Sequence, residues 1–127
     1  MDDISRKYDE QLKMKIIAVD FDNTITMPCP YPRTGILNTT AKKYLDKLHD
    51  AGFTLVLWSA RLSDTYDEAY NLCIDNFKMP YIQRDTDELI HGSTGKLLAS
   101  FYIDDLAYPG KKINWRKLYR HIIRRFK

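Results

Sequence analysis

The sequence predicts an α/β fold in which a mainly parallel sheet lies between two layers of helices. Short apolar segments, typical of buried strands, alternate along the chain with segments whose apolar residues recur at helical spacing. Strands and helices in alternation form parallel sheets through right-handed crossover connections. The chain of 127 residues has no internal repeat and no linker long enough to divide it. Residues 1–127 are therefore expected to form one domain.

Apolar runs locate the strands. The predicted strands cover residues 14–19, 53–58, 81–82 and 101–103. The second of these is apolar almost throughout, as in a strand that is covered on both faces. Residues 1–13 are polar and weakly patterned, which is typical of a loose arm or a short helix. Three prolines between residues 26 and 35 exclude a regular element in that segment.

Capping residues locate the first two helices. Asn38 or Thr39 is expected to cap a helix that ends at Gly52, since Asn and Thr are good N-caps and Gly often follows a helix. Ser63 or Asp64 is expected to cap the next helix in the same way. Each helix lies between two predicted strands, as the crossovers of a parallel sheet require.

The C-terminal segment, residues 113–127, is predicted to be an amphipathic helix. Its apolar residues recur at helical spacing: Trp115, Leu118, Tyr119, Ile122, Ile123 and Phe126. Between Gly110 and Lys127 there are eight Lys and Arg and no acid, whereas the whole chain carries 20 basic and 17 acidic residues. A basic helix face of this kind is most often a solvent-exposed surface with no further role. The alternative is that it contacts a nucleic acid.

Composition narrows the class of protein. Hydrophobic residues make up 44% of the chain and charged residues 29%, which is typical of a globular protein. No apolar run approaches the roughly 20 residues that a membrane span needs, and the N-terminus does not resemble a signal peptide. Cys29 and Cys73 lie far apart without C-x-x-C spacing, as expected of reduced thiols that bind no metal. These features predict a cytoplasmic protein without a membrane partner.

Two carboxylates follow the first predicted strand. Asp20 and Asp22 are separated by one residue, so strand geometry directs both side chains to the same side of the sheet's carboxyl edge. Open α/β sheets bind their ligands at that edge. Two adjacent carboxylates repel each other unless a cation lies between them or one of them is protonated. The pair therefore predicts either a Mg²⁺ site or a nucleophile beside a general acid.

Two later strands also end in polar residues. Ser59 and then Arg61 follow the strand at 53–58, while Asp104 and Asp105 follow the strand at 101–103, with Lys96 shortly before it. Carboxylates, a hydroxyl and a lysine at one edge can together hold Mg²⁺ and a phosphoryl group. Arg61 could bind the phosphate of the substrate or form a salt bridge to a neighbouring acid.

These motifs resemble the haloacid dehalogenase superfamily of hydrolases. Its first motif, an apolar strand followed by Asp-x-Asp-x-Thr, is similar to residues 20–24, Asp-Phe-Asp-Asn-Thr. Its second, a strand ending in Ser or Thr, is similar to residues 55–59. Its lysine and its final strand ending in Asp-Asp are similar to Lys96 and to residues 101–105. The resemblance covers roughly residues 14–126 and implies a three-layer αβα Rossmann-like sandwich.

The resemblance also implies catalytic roles. Asp20 would be the nucleophile that forms an aspartyl-phosphate. Asp22 would protonate the leaving oxygen and then take a proton from the attacking water. Mg²⁺ would be the cofactor, bound by the carboxylates of Asp20 and Asp104 and by the backbone carbonyl of Asp22.

Further residues are implied around these. Ser59 and Lys96 would hold the phosphoryl oxygens of the substrate. Asp105 would order a metal-bound water or Lys96. Thr24 would fix the turn after the first strand by a hydrogen bond to the backbone.

The spacing of the motifs implies a member without a cap domain. Residues 26–36, called the flap below, are too few to form one, and seven residues separate Lys96 from Asp104. An open site of this kind suits a macromolecular phosphate or a site that is closed by homo-oligomerisation. Tyr31 and Arg33 in the flap are candidates for substrate contact, the alternative being ordinary packing in a turn.

Three functions are consistent with these residues. The first is a Mg²⁺-dependent phosphatase acting on a phosphate monoester. The second is a nucleic-acid-end phosphatase or nucleic-acid-binding protein that uses the basic C-terminal helix. The third is a phospho-acceptor domain resembling response-regulator receivers. In receivers the acidic pair is adjacent and the phosphorylated aspartate ends a later strand, which disfavours this third function.

Overall fold

The fold alternates strands and helices in the predicted order. The computed structural model describes Arg6, Lys13 and residues 15–30, 33–59, 61–78, 81–82, 99–104 and 112–126. Its elements are β1 (Ile16–Val19), α1 (Thr39–Asp50), β2 (Thr54–Leu57), α2 (Ser63–Asn76), β3 (Tyr81–Ile82), β4 (Phe101–Ile103) and α3 (Trp115–Phe126). Within the predicted N-terminal arm, Arg6 and Lys13 are helical and exposed.

The described strands form one parallel sheet in the order β3-β2-β1-β4. All four residues of β1 are buried, because this strand has neighbours on both edges and is covered on both faces. The chain moves from β1 outward to β2 and β3 and then returns to the other side of β1 at β4. This reversal makes the gap between β1 and β4 the topological switch point, where open α/β sheets bind ligands.

Alternation along the strands divides the buried residues between two faces of the sheet. Ile17 and Val19 face the main core with alternate residues of β2 and with Ile103. Phe77, just after α2, joins this core, to which the helices α1, α2 and α3 supply side chains: Ala41, Leu45, Leu48, Ala69, Cys73, Trp115, Leu118 and Ile122. Ile16, Ala18 and Val56 form a cluster on the opposite face, against which Trp58, Ala99 and Tyr102 pack. The predicted α/β class, an open parallel sheet flanked by helices as in Rossmann-like folds, is confirmed.

The N-cap residues of α1 and α2 differ in how far they match the sequence prediction. The Asn38 side chain accepts hydrogen bonds from the backbone of Thr40 and Ala41, both at 3.1 Å, and is the predicted cap of α1. The predicted cap of α2 is wrong. The helix already begins at Ser63, so Leu62 is the N-cap and makes no side-chain capping bond. Asp64 instead lies in the first turn, where a negative charge favours the helix dipole.

The amphipathic helix at the C-terminus is confirmed as α3. Trp115, Leu118 and Ile122 are buried, and Tyr119, Ile123 and Phe126 pack at the edge of the core. The Lys15 ammonium donates to the backbone carbonyl of Phe126 at 3.3 Å and ties the end of α3 to the start of β1.

Other expectations concern the thiols and the membrane. Cys29 and Cys73 are both free, and Cys73 is buried in the main core. No helix among the described residues is long and apolar enough to cross a membrane.

Candidate functional site

Three parallel strands end side by side at one edge of the sheet. The register pairs Val19 of β1 with Leu57 of β2 and with Ile103 of β4. The backbone pairing continues past the strands, because the Asp20 amide donates to the Ile103 carbonyl at 2.9 Å and the Trp58 amide to the Val19 carbonyl at 2.9 Å. Asp20 thus lies between the ends of β2 and β4, and the predicted residues Ser59 and Asp104 are brought to the same edge.

A wide turn, Phe21–Ile25, holds the acidic pair. The Thr26 amide donates to the Phe21 carbonyl at 3.2 Å and closes the turn. Asp22 remains extended (φ −66°, ψ 133°), and Asn23 adopts the left-handed conformation (φ 61°) that Asn tolerates better than most residues. Phe21 and Ile25 are fully buried. The core therefore anchors the turn from both ends and fixes the path of the backbone between Asp20 and Asp22.

Two threonines of this segment have different partners. Thr24 is 1% exposed, and its hydroxyl donates to Oδ2 of Asp20 at 3.3 Å. The predicted backbone bond of Thr24 is instead made by Thr26, whose Oγ1 accepts from the Asn23 amide at 3.3 Å. Thr24 therefore orients the carboxylate, and Thr26 stabilises the turn. The sequence signal for Thr26 is its position three residues after Asn23, the spacing of a side-chain-capped turn.

Arg61 contacts Asp22 of the acidic pair, the flap and α2. Its Nε donates to Oδ2 of Asp22 at 2.8 Å and its Nη2 to Oδ1 at 2.6 Å, a bidentate ion pair. Its Nη2 also donates to the Arg33 carbonyl at 2.8 Å, while its Nη1 donates to Thr34 Oγ1 at 3.2 Å and to the Thr65 carbonyl at 3.3 Å. The guanidinium lies over the Phe21 ring, 5.1 Å from its centroid.

Of the two uses that the sequence leaves open for Arg61, these contacts favour the salt bridge. A guanidinium has five N–H donors, and five acceptors of this protein surround it. The Arg61 side chain is only 1% exposed, whereas that of Asp22 is 28% exposed. Arg61 thus forms a salt bridge with Asp22, and acceptors of the protein engage its N–H donors. Of the two side chains, that of Asp22 is the one in contact with solvent.

Ser59 contacts the same residue. Its half-buried hydroxyl oxygen accepts from the Arg61 amide at 3.1 Å. The hydroxyl hydrogen can rotate toward another acceptor, so this contact leaves Ser59 able to donate to a phosphoryl oxygen.

The flap folds back on itself beside Asp22. Thr26 and Leu37 form an antiparallel bridge, and the Met27 amide donates to the Ile36 carbonyl at 2.8 Å. Close approach of the two sides of the flap explains Gly35, since a Cβ there would lie 2.4 Å from the Met27 carbonyl oxygen. Thr34 also donates to Glu68 of α2 at 2.8 Å. The side chain of Arg33 is exposed.

Some predicted residues lie outside the described part of the chain. These are Lys96, Asp105 and Tyr31.

Among the described residues, no three His, Cys, Asp or Glu side chains are grouped as a set of metal ligands. The predicted Mg²⁺ ligands need only two carboxylates, of Asp20 and Asp104, with the backbone carbonyl of Asp22. Such an all-oxygen set has the chemistry that Mg²⁺ prefers.

One solved structure is similar over nearly the whole chain. It is a conserved protein from Bacteroides thetaiotaomicron, with 33% sequence identity and a TM-score of 0.71. The alignment covers 88% of this chain and 92% of that protein. The chain belongs to the same family as this conserved protein. The two proteins therefore share a fold, and the similarity by itself assigns no activity.

No protein-family model and no curated protein matches the chain.

Proposed function

We propose that the protein is a Mg²⁺-dependent phosphatase that hydrolyses a phosphate monoester through an aspartyl-phosphate at Asp20. The observation that carries this proposal is the register that sets Asp20 between the ends of β2 and β4, level with Trp58 and Asp104. A carboxylate, a hydroxyl and a second carboxylate then follow three adjacent strands at the carboxyl edge of the sheet, beside its switch point. Phosphoryl transfer depends mainly on such positioning and on charge stabilisation.

Asp20 acts as the nucleophile in this mechanism. Its carboxylate oxygen attacks phosphorus in line, a bond forms between that oxygen and phosphorus, and the bond from phosphorus to the leaving oxygen breaks. The Thr24 hydroxyl, donating to Oδ2 of Asp20, restricts rotation of the carboxylate. A fixed orientation lowers the entropic cost of attack.

Asp22 acts as the general acid and then as the general base. In its protonated form it donates a proton to the departing oxygen, and the carboxylate that remains, paired with Arg61, later accepts a proton from the water that attacks the aspartyl-phosphate and releases inorganic phosphate. The bidentate contact with Arg61 sets the direction of this carboxylate. Its partly exposed side chain can still meet a substrate, since each carboxylate oxygen has a second lone pair.

The remaining groups bind the phosphoryl oxygens of the substrate and stabilise their negative charge. Asp20, Asp104 and the Asp22 carbonyl would hold Mg²⁺, which when bound neutralises charge on the phosphoryl oxygens. Ser59 donates a hydrogen bond to those oxygens, and Lys96 supplies a positive charge as the resemblance implies. Arg61 is not in this group, because its donors are engaged within the protein.

The test is hydrolysis of p-nitrophenyl phosphate with Mg²⁺ and with EDTA. The variants are Asp20→Asn and, as a matched control, Asp50→Asn on the exposed end of α1. Turnover that requires Mg²⁺ and falls at least about 10³-fold in Asp20→Asn alone supports the proposal. A folded Asp20→Asn protein that retains the wild-type rate contradicts it.

A further inference from the structure

The geometry points to Arg61 as a positioning residue that couples the flap to the proton-donating carboxylate of Asp22. This inference rests on the proposed function, in which Asp22 protonates the leaving group. Arg61 does not touch the substrate. It acts through Asp22 on one side and through the backbone of the flap on the other.

The burial of Arg61 makes the coupling strong. A guanidinium that is 1% exposed must be compensated by charge and by hydrogen bonds, because an unpaired charge in the interior costs several kcal/mol. Among the described residues, Asp22 supplies a negative charge 2.6 Å from Nη2 of Arg61, and Glu68 is farther away, with 3.9 Å between its Oε2 and Nη1 of Arg61. The protein therefore strongly favours the arrangement in which Asp22 accepts from both Nε and Nη2.

A single nitrogen joins the carboxylate to the flap. Nη2 of Arg61 donates to Oδ1 of Asp22 and to the Arg33 carbonyl, at 2.6 and 2.8 Å. Nη1 adds a second bond to the flap at Thr34 and a bond to the start of α2 at the Thr65 carbonyl. If the flap moved away, Arg61 would lose two acceptors and its orientation toward Asp22. The position of the flap is thus linked to the orientation of the acid.

This role predicts an effect that depends on the leaving group. Phenolate leaves poorly without a proton, whereas p-nitrophenolate leaves well, so only the hydrolysis of phenyl phosphate depends strongly on a correctly aimed acid. Arg61→Lys keeps the positive charge and loses the planar fork that contacts two carboxylate oxygens and the flap. We expect kcat to fall about 10²-fold on phenyl phosphate and less than about tenfold on p-nitrophenyl phosphate.

The control variants separate positioning from general damage. Arg6→Lys, at an exposed position, is the matched control and leaves both rates unchanged. The double variant Arg61→Lys with Asp22→Asn is expected to be about as slow on phenyl phosphate as Asp22→Asn alone, because both changes remove the same function. Equal losses on the two substrates, or losses that multiply in the double variant, overturn the inference.

A second readout does not depend on catalysis. Hydrogen exchange at the Met27 and Asn38 amides reports the pairing of the two sides of the flap, since these amides bond to the Ile36 and Ile25 carbonyls. We expect exchange about tenfold faster in Arg61→Lys. If that variant does not fold, Thr34→Val removes one flap acceptor and should show a smaller change in the same direction.

The outcomes distinguish the two proposals. A wild-type protein that hydrolyses neither ester with Mg²⁺ overturns the proposed function, and with it the catalytic part of the inference. The exchange rates then still decide whether Arg61 holds the flap, and unchanged rates in the folded variants would overturn that part as well.

Discussion

Arg61 binds both carboxylate oxygens of Asp22 from the inside of the protein, at 2.8 Å through Nε and 2.6 Å through Nη2. The two residues are 39 positions apart and follow neighbouring parallel strands. Arg61 is buried and Asp22 is partly exposed, so the pair spans the boundary between the core and the open edge of the sheet. A residue that stabilises the fold therefore also orients a residue of the candidate site.

The first prediction is that Asp22→Ala destabilises the protein by about 3 kcal/mol. The substitution leaves the Arg61 guanidinium buried without its principal counter-charge, which is the costly way to break a buried ion pair. Urea unfolding measures the change. The control is Asp50→Ala, which removes an ion pair between side chains that are both more than half exposed and should cost less than about 0.5 kcal/mol. Equal effects of the two substitutions would show that the Asp22 pair contributes no more than a surface pair.

The second prediction concerns the flap. Gly35→Ala should cost about 1 to 3 kcal/mol and raise KM, because the new Cβ would lie 2.4 Å from the Met27 carbonyl oxygen and force the two sides of the flap apart. Gly52→Ala is the matched control, since Gly52 has a φ of +101° but no heavy atom near its Cβ position. That control should lose stability through backbone strain and keep its KM. A Gly35→Ala protein with unchanged KM would show that the flap does not contact the substrate.

The sequence predicts the placement of the site better than its internal contacts. The positions of Asp20 and Asp104 follow from two local facts, an apolar run and the residue after it, and parallel pairing then aligns them. The partners of Arg61 depend on where a proline-rich flap returns, which no periodicity encodes. The hydrogen bond to the turn backbone predicted for Thr24 is made by Thr26, while Thr24 bonds to Asp20, because the path of the turn decides which hydroxyl meets the Asn23 amide. Ser63 or Asp64 is the expected cap of α2, but the helix already begins at Ser63, so the N-cap position falls on the apolar residue Leu62.

The third prediction concerns alkaline pH. Burial raises the pKa of the Cys73 thiol from its ordinary 9.0 to about 12. Above pH 9 the unfolded chain releases this proton while the folded protein retains it, so stability present below pH 9 is lost as the pH rises toward 12, by up to about 1.4 kcal/mol per pH unit. Urea unfolding between pH 8 and 11 should show a shallower decline for Cys73→Ala than for the wild type. Parallel declines would contradict the protonated, buried thiol.

The fourth prediction tests the basic face of α3 as a nucleic-acid contact. The exposed residues of this face are Arg116, Lys117, Arg120, Arg124 and Arg125. Lys47 of α1 extends the surface, with its ammonium 5.7 Å from the centre of the Tyr119 ring. If the face binds phosphates, affinity for single-stranded DNA should fall steeply with salt, and Arg120→Glu with Arg124→Glu should abolish binding without unfolding the protein. Absence of retention on DNA at low salt would leave the face as a solvated surface.

The central claim is that Asp20 carries the phosphoryl group. The most direct measurement is acid quenching during turnover of a phosphate monoester with Mg²⁺, followed by mass spectrometry of the peptide that contains Asp20. We predict the added mass of one phosphoryl group on Asp20 in the wild type, a larger fraction in Asp22→Asn, whose hydrolytic step is slowed, and none in Asp20→Asn. Steady hydrolysis that leaves Asp20 unmodified under all these conditions, and that persists in Asp20→Asn, would contradict the mechanism.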